Sequence, residues 1–372
     1  MTTFAVENHR NVALVGHGAT GKTTLADLIL HKTGIASRAG SVDDGSSLLD
    51  IDDDEKERKS SLSSAAVHCE HQGKRITLID APGYPDFIGQ AIGALRAVET
   101  AVIVINAHAG IEVNTRRMFG LAGNAGVGRM ILINKCDTDN VDYSQLIDDI
   151  QEMFGATCVP LNVPVGISES FSGVVSTLSA AESVPDGAQA DPADFNATLM
   201  DAIVEADEAL MERFLEGEEL SADEVSAGVS KAIAAGTLIP ILCSSSRNDV
   251  GVSEFMDALA TFALSPTEVS RTAKNAAGEE VTLEPEAGGP AVAQVFKTRI
   301  DPFVAKMSYL RVFSGTLKKD AQVHNVRTDK PLKIGQLFDV QGGKQEPVDQ
   351  AGPGDIVAVI KVEDLATGDT IS

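Results

Sequence analysis

The sequence predicts an α/β domain on a parallel sheet, with an inserted α+β subdomain, followed by a small antiparallel β-barrel domain. Apolar strand-like runs alternate with amphipathic helix-like stretches in the first part, a long insertion interrupts them, and the last part has short strand-like segments without helices. Continuous apolar strands alternating with helices are typical of a parallel sheet covered on both faces. Ligands in such folds collect where strands end and helices begin.

Length and composition limit the possible classes of protein. The chain has 372 residues, 43% of them apolar, which is enough for the cores of two or three domains. No stretch approaches the roughly 20 apolar residues that span a bilayer, and the N-terminus lacks a signal-peptide pattern, so we expect a cytoplasmic protein without a membrane partner. Four cysteines without a C-x-x-C pair argue against disulfides and a zinc site. A net charge of −24 disfavours nucleic-acid binding by the chain as a whole.

The α/β alternation can be followed along the first part of the chain. Its strand-like runs are NVALVG, RITLID, AVIVINA, RMILINK and TLIPILCSS, and its helix-like stretches are KTTLADLILHKTG, FIGQAIGALRAVET, NTRRMFGLAGNA, SQLIDDIQEMF and Val252 to Phe262. Between Asp137 and Ser245 the chain is far longer than the dozen or so residues that a crossover needs. This insertion has strand-like LNVPVGI and SGVVSTL, a loop from Val184 to Asp194 and a helical pattern from Ala197 to Glu216.

We therefore expect a first domain over residues 1–265, with the inserted subdomain at about 155–240, a linker at 266–289 and the barrel at 290–372. The linker is rich in Pro, Glu, Gly and Lys. The barrel strands are expected in AVAQVFKTRI, AKMSYLRVFSG, AQVHNVR, KIGQLFDV and DIVAVIKV, which are separated by turn residues.

The first strand leads into GHGATGKT, residues 16 to 23, which matches the phosphate-loop pattern G-x-x-x-x-G-K-[ST]. Glycines let successive backbone N–H groups surround phosphate oxygens, and the following helix directs its positive end at them. Lys22 would reach the β and γ phosphates, and the Thr23 hydroxyl would ligate Mg²⁺. A tight glycine-rich turn is the alternative, but it gives no reason for the Lys-Thr pair. The predicted phosphate-binding residues are Gly18, Ala19, Thr20, Gly21, Lys22, Thr23 and Thr24.

Two further motifs follow later strands. DAPG, residues 80 to 83, would let Asp80 hold Mg²⁺ through water while the Gly83 N–H meets the γ-phosphate. NKCD, residues 134 to 137, would let Asp137 accept from N1–H and the exocyclic amine of guanine. Adenine offers no such donor pair, and an unpaired buried polar group costs about 1–3 kcal/mol. Guanine contacts are predicted for Asn134, Lys135, Asp137, Ser244, Ser245 and Ser246, although the serines could be ordinary loop residues.

With these three motifs in this order, the chain resembles the front half of translation elongation factor G, a ribosomal GTPase. The resemblance runs from about His9 to the last residues and includes FKTRIDPFVAKMSYLRVFSGTL and GDTIS. It implies a P-loop GTPase domain with an inserted subdomain, a second β-barrel domain, GTP and GDP as substrate and product, Mg²⁺ as cofactor and the ribosome as partner of the full-length protein. The family has three further domains that this sequence lacks, so we expect a piece of a longer protein. We also expect a monomer, because nothing in the sequence demands more than one chain.

The sequence departs from the family pattern at the phosphate end of the site. The family loop A-H-x-D-A-G-K-T has an Asp, associated with a monovalent cation, where this chain has Ala19. The family's R-G-I-T-I has a Mg²⁺-ligating Thr where RKSSL has Ser61, so the resemblance implies Thr23, Ser61 and Asp80 as metal residues. The acidic stretch Asp50 to Glu57 is expected to be a mobile switch loop and not a metal site of its own.

The residue after Gly83 is the largest departure. The family's D-T-P-G-H-x-D-F has a His that positions the attacking water, and Tyr84 stands there, while Gly18 and Ser60 replace two apolar neighbours of that His. A tyrosine hydroxyl is a poor base at pH 7. Phosphoryl transfer depends mostly on positioning and electrostatics, so Tyr84 need not abolish hydrolysis. Tyr84 and Gly83 are therefore the predicted catalytic residues, and hydrolysis is expected to be slow. Tyr84 could instead simply fill space.

Three functions are compatible with these motifs. The first is a translational GTPase resembling elongation factor G, with a low intrinsic rate. The second is a nucleotide-gated ribosome-binding module with little or no hydrolysis, which the substitution at Tyr84 favours. The third is another ribosomal GTPase, such as a ribosomal protection protein or a release factor, which shares the nucleotide motifs but fits Tyr84 less well.

Overall fold

The structure is a computed structural model that describes residues 4–178, 184–218, 220–275, 277–301 and 305–372. The strands of its first part are β1 (His9–Gly16), β2 (Ala65–His71), β3 (Lys74–Asp80), β4 (Thr100–Asn106), β5 (Gly128–Asn134), β6 (Cys158–Pro160), β7 (Asn162–Val165), β8 (Gly173–Ser176) and β9 (Ile239–Cys243). The helices are α1 (Lys22–Lys32), α2 (Asp53–Arg58), α3 (Ile88–Arg96), α4 (Val113–Ala125), α5 (Tyr143–Phe154), α6 (Pro192–Glu205), α7 (Glu208–Leu215), α8 (Ala222–Ala235) and α9 (Val252–Phe262). Short 3₁₀ turns lie at Val6–Asn8, Pro85–Phe87 and Ser168–Ser170.

The first part is built on one sheet with the strand order β2-β3-β1-β4-β5-β9-β6. Strands β3, β1, β4, β5, β9 and β6 run parallel, whereas β2 pairs antiparallel with β3 at the edge. This confirms the predicted α/β fold class. Strand β2 was missed because its alternating sequence AAVHCEH has polar residues where the central strands are continuously apolar.

Apolar clusters cover both faces of this sheet. Strand residues alternate between them, so that Ala13 and Val15 face one cluster with α3, α4 and α5, whereas Val12 and Leu14 face the other with α1 and α9. Period-two alternation of buried side chains within one strand is the expected result of the β pleat. Both faces are therefore covered, as the continuously apolar strands predicted.

The insertion pairs β7 with β8 in an antiparallel hairpin and packs α6 against α8. The single helical pattern predicted from Ala197 to Glu216 is two helices in the structure, and Asp207 caps the second by accepting from the backbone N–H of Ala209 at 3.0 Å. An N-cap residue has non-helical φ and ψ, so the extended backbone of Asp207 separates the two helices. Helix α8 was not predicted.

The last part of the chain is an antiparallel sheet. Its strands are β12 (Val292–Asp301), β13 (Ala305–Ser314), β14 (Leu317–Lys318), β15 (Gln322–Asn325), β16 (Lys330–Lys333), β17 (Leu337–Gln341), β18 (Lys344–Val348), β19 (Gln350–Ala351), β20 (Ile356–Ile360) and β21 (Thr370–Ile371). Eight of them form one sheet in the order β16-β15-β21-β12-β13-β20-β17-β18, and β14 pairs with β19. The stretch predicted as a linker contains a small hairpin of β10 (Thr272–Lys274) and β11 (Glu280–Thr282).

The two parts are joined by an interface that mixes close packing with buried charge. Gly93 of α3 lies against β12 so closely that a Cβ atom there would be 2.4 Å from the carbonyl oxygen of Phe296. Behind this contact, the guanidinium of Arg311 donates to the carboxylate of Glu99 at 2.8 Å, and both side chains are about 1% exposed. The barrel is therefore held against the α/β part by specific contacts.

Two expectations from composition can also be compared with the structure. The four cysteines, Cys69, Cys136, Cys158 and Cys243, are buried and free, as predicted. Among the described residues, every helix is too short or too polar to cross a membrane.

Candidate functional site

The loop between β1 and α1 turns tightly, with positive φ at two of its residues. Gly21 has φ +92°, and Ala19 takes the left-handed conformation at φ +59°. At Gly21 a Cβ atom would be 2.5 Å from the amide nitrogen of Asn134, so the position accepts only glycine. Such left-handed turns produce the anion-binding concavities of phosphate loops.

Lys22 begins α1 and is buried within this loop. Its ammonium donates to the carbonyl of His17 at 2.6 Å, a bond to the loop that a phosphate group would compete for. Burial lowers the pKa of Lys22 to about 8, while Asp80 and Glu112 act in the opposite direction. An anion bound in the loop would therefore strongly favour the charged form.

Oxygen atoms from three separate segments meet beside Lys22. The Thr23 hydroxyl donates to Asp80 at 2.6 Å and lies 3.1 Å from the Ser61 hydroxyl, which donates to Asp50 at 2.8 Å. The second carboxylate oxygen of Asp80 is buried and has no hydrogen-bond partner among the described residues. The three predicted metal residues are thus adjacent, and Asp50, which was not predicted to belong to the site, joins them.

The carboxylates of this cluster are poorly compensated. Burial raises the pKa of Asp80 to about 7 and that of Asp50 to about 6, and Asp27 adds a further repulsive charge to both. Hydroxyl and carboxylate oxygens are the ligands that Mg²⁺ prefers. A divalent cation would supply the missing positive charge and a partner for the unpaired oxygen of Asp80, so these residues fit a magnesium ion.

The acidic stretch after Asp50 contains α2, whereas the sequence predicted only a loop. Glu55 is 2% exposed, and its carboxylate accepts from four backbone N–H groups of the chain on either side. These bonds, of 2.9–3.1 Å, come from Ile51, Asp52, Leu62 and Ser63. A carboxylate satisfied by backbone N–H groups can be buried without a cation. Glu55 therefore fixes the segment that carries Ser60 and Ser61.

Gly83 and Tyr84 lie against the phosphate loop. A Cβ atom at Gly83 would be 2.4 Å from the His17 carbonyl oxygen, so only glycine allows this approach. Its own carbonyl accepts from the buried amide of Asn114 at 2.6 Å, a contact that the sequence does not indicate. The Tyr84 ring lies over Gly18, where an added Cβ would be 3.2–3.5 Å from ring carbons. Tyr84 is 46% exposed, so part of this residue is open to solvent.

The NKCD residues lie beside the same loop. The Asn134 amide donates to the Thr20 carbonyl at 2.9 Å, and its oxygen accepts from the backbone N–H of Ser246 at 3.0 Å. Asn134 thus ties two loops together. One oxygen of Asp137 is buried without a partner among the described residues, while the other accepts from Asn248 at 3.3 Å. A buried, unpaired carboxylate oxygen fits the two N–H donors of guanine.

The three serines divide into two groups. Ser246 lines the cavity, whereas Ser244 and Ser245 are fully buried behind it. The Ser244 hydroxyl donates to Asn134 at 3.2 Å, and the Ser245 backbone N–H donates to the carbonyl of Val250 at 2.8 Å. These two serines support the base site from behind, because their polar atoms bond within the protein.

One cavity of about 630 Å³ brings the predicted site together, a size typical of small-molecule sites. The predicted residues on its wall are Gly18, Ala19, Gly21, Lys22, Thr23, Thr24, Ser61, Gly83, Tyr84, Asn134, Lys135, Asp137 and Ser246. Thr20 and Asp80 are buried behind the wall, with Thr20 turning its hydroxyl to His17.

Two parts of the chain match known protein families. Residues 7–265 match the family described as elongation factor Tu GTP binding domain. The chain belongs to the translational GTPase family. Residues 290–372 match the family described as elongation factor G domain 2, which makes the chain a member of the elongation factor G-like group with a GTP-binding domain followed by the second domain.

A solved structure supports the same assignment. The chain is 30% identical to a protein of Thermus thermophilus of known crystal structure, with a TM-score of 0.86. The match covers 99% of this chain and 54% of that one. This chain therefore spans about half the length of its structural relative.

Proposed function

We propose that this chain is the nucleotide-binding part of a translational GTPase that binds GTP and GDP with Mg²⁺ and hydrolyses GTP slowly when alone. The proposal rests on one observation above all, the convergence of phosphate loop, Asp80 cluster and Asp137 on one cavity. We further propose residues 1–265, 266–289 and 290–372 as first domain, linker and second domain, and the ribosome as partner of the full-length protein.

In the proposed reaction, a water oxygen attacks the γ-phosphorus, the bond to the β–γ bridging oxygen breaks, and GDP, phosphate and a proton are released. Backbone N–H groups of residues 18–23 and the Lys22 ammonium would hold the phosphates. Thr23, Ser61 and Asp80 would hold Mg²⁺, which when bound neutralises charge on the β and γ oxygens. Asp137 would select guanine through the two N–H donors of the base.

Tyr84 and Gly83 are the proposed catalytic residues. The Gly83 N–H would meet the γ-phosphate, and the Tyr84 hydroxyl would orient water by hydrogen bonding without acting as a strong base. The packing of the Tyr84 ring over Gly18 supports this role, since it keeps the side chain at the phosphate end of the cavity. Slow hydrolysis is expected because an orienting hydroxyl contributes less than a group that also takes up the proton.

Single-turnover phosphate release from GTP tests this proposal, with wild type beside Tyr84→His. We expect slow release by wild type and clearly faster release by the variant. Equal slow rates would mean that the Tyr84 side chain is not limiting, and rapid turnover by the wild type would refute the proposal that Tyr84 slows hydrolysis. A wild type that binds both nucleotides without turnover would support the second candidate, a nucleotide-gated binding module, which the presence of Tyr84 in place of the family's His also favours.

A further inference from the structure

Lys59 is a cavity residue to which neither the motifs nor the proposed function gives a role. It follows α2 directly and lines the nucleotide cavity, two residues before Ser61, whose hydroxyl lies 3.1 Å from the hydroxyl of Thr23 in the phosphate loop. Its backbone therefore lies on the phosphate side of the cavity, away from Asp137 at the base side. A cationic residue there is placed to meet phosphate oxygens.

The backbone holds Lys59 at this place in a strained conformation. Its φ of +54° lies in the left-handed region, which costs a non-glycine residue roughly 1–2 kcal/mol. The turn is closed by the Ser60 N–H, which donates to the Glu55 carbonyl at 3.1 Å, and by the buried Glu55 carboxylate. The family motif R-G-I-T-I, which this stretch resembles, has glycine at this position. A lysine that keeps a glycine conformation at a cavity wall is a candidate for a functional side chain.

The Lys59 side chain is exposed, and its ammonium has no protein partner within the part of the chain that the structure describes. No carboxylate or carbonyl of those residues accepts a hydrogen bond or forms an ion pair with its ammonium. Lys56, one turn earlier on α2, instead lies 3.8 Å from Asp53 and does not line the cavity. The two lysines therefore provide a matched pair, one at the cavity and one outside it.

We propose that the Lys59 ammonium binds the γ-phosphate of GTP and supplies positive charge, from within the same chain, to the oxygens on which charge develops during hydrolysis. The inference rests on the proposed function, because it assigns a further residue to the same site. Lys59 makes and breaks no covalent bond, and its contribution is electrostatic. Phosphoryl transfer depends mainly on positioning and on such electrostatic stabilisation, to which a lysine adds a full positive charge.

Nucleotide affinities of three variants test the proposal. Lys59→Met removes the charge at similar length, Lys59→Arg keeps it, and Lys56→Met is the control. Affinities are measured by calorimetry with Mg²⁺ for GDP and for a GTP analogue whose β–γ bridge is an imide. We expect Lys59→Met to weaken the analogue at least tenfold and GDP by less than twofold, Lys59→Arg to retain wild-type affinity within threefold, and Lys56→Met to change neither.

Lys59→Gly separates charge from folding, because glycine relieves the left-handed strain. It should weaken the analogue as much as Lys59→Met does while raising the midpoint of thermal unfolding. If Lys59→Met weakens the analogue by less than twofold, or weakens GDP equally, the inference is overturned. If wild type binds neither nucleotide, the proposed function fails instead. If wild type binds both nucleotides without turnover, the loss of analogue affinity in Lys59→Met, compared with its loss of GDP affinity, still decides the role of Lys59.

Discussion

Glu55 provides the sharpest test of how the loop between α1 and β2 is held in place. Its carboxylate accepts from the backbone N–H groups of Ile51, Asp52, Leu62 and Ser63. Glu55→Ala removes all four bonds and leaves a buried space that water can enter. We expect the segment from about residue 51 to residue 63 to open locally while the central sheet stays folded.

The magnitude follows from the number of bonds. A hydrogen bond to a charged group contributes about 1.5–3 kcal/mol net, but water replaces part of this once the loop opens. At about 1 kcal/mol for each bond, the free energy of local opening falls by about 4 kcal/mol. Amide exchange would accelerate by about a thousandfold, because each 1.4 kcal/mol corresponds to a factor of ten.

Residue-resolved hydrogen exchange measures this acceleration at the four amides themselves. The matched control is Glu57→Ala, which removes an exposed glutamate from the same short helix. Glu55→Gln should give an intermediate result, since its amide keeps only one of the two acceptor oxygens. Unchanged protection of the four amides in Glu55→Ala, or the same loss in Glu57→Ala, would refute the reasoning.

Three further predictions concern the barrel and its interface with the first domain. Burial lowers the pKa of His9 from 6.5 to about 4. Between pH 6.5 and pH 4 the unfolded chain therefore binds a proton at His9 that the folded chain does not bind. Stability is therefore full above pH 6.5 and falls by about 3 kcal/mol towards pH 4, a slope that His9→Phe should reduce in thermal unfolding. Arg311→Met leaves Glu99 buried without its main partner and should cost about 3 kcal/mol of unfolding free energy, whereas adding Glu99→Gln should recover much of it. Gly342→Ala should weaken GTP-analogue binding, because its Cβ would lie 2.3 Å from a carbonyl oxygen of the α1–β2 loop, and Gly368→Ala, also at positive φ but with open space, should not.

The fold and most of the site could be predicted because their signals are local. Each nucleotide motif follows a continuously apolar strand, and parallel strands bring their carboxyl ends to one edge of the sheet. Lys22, Asp80 and Asp137 are far apart in sequence, yet each is identified by the strand that precedes it. The structure adds how closely these segments approach each other.

What could not be predicted depends on contacts between distant segments. Glu55 stands among exposed acidic residues, and nothing in DDDEKER distinguishes the one carboxylate that is buried. Asn114 reaches Gly83 from another helix, and Ser244 bonds to Asn134 where the sequence suggested a contact with the base. Each depends on which N–H or carbonyl lies opposite in the folded chain, and a single sequence does not contain that information.

The α1–β2 loop is held by the barrel as well as by Glu55. Arg299 of β12 pairs with Asp52 at 2.7 Å, and the buried ammonium of Lys297 donates to the carbonyl of Ser64. The same loop brings Ser61 to Thr23, which in turn donates to Asp80. A nucleotide whose binding moved this loop would therefore change barrel contacts together with cavity contacts. Such coupling is reciprocal. A ligand that changes the position of the barrel would change nucleotide affinity by the same factor by which the nucleotide changes the affinity for that ligand.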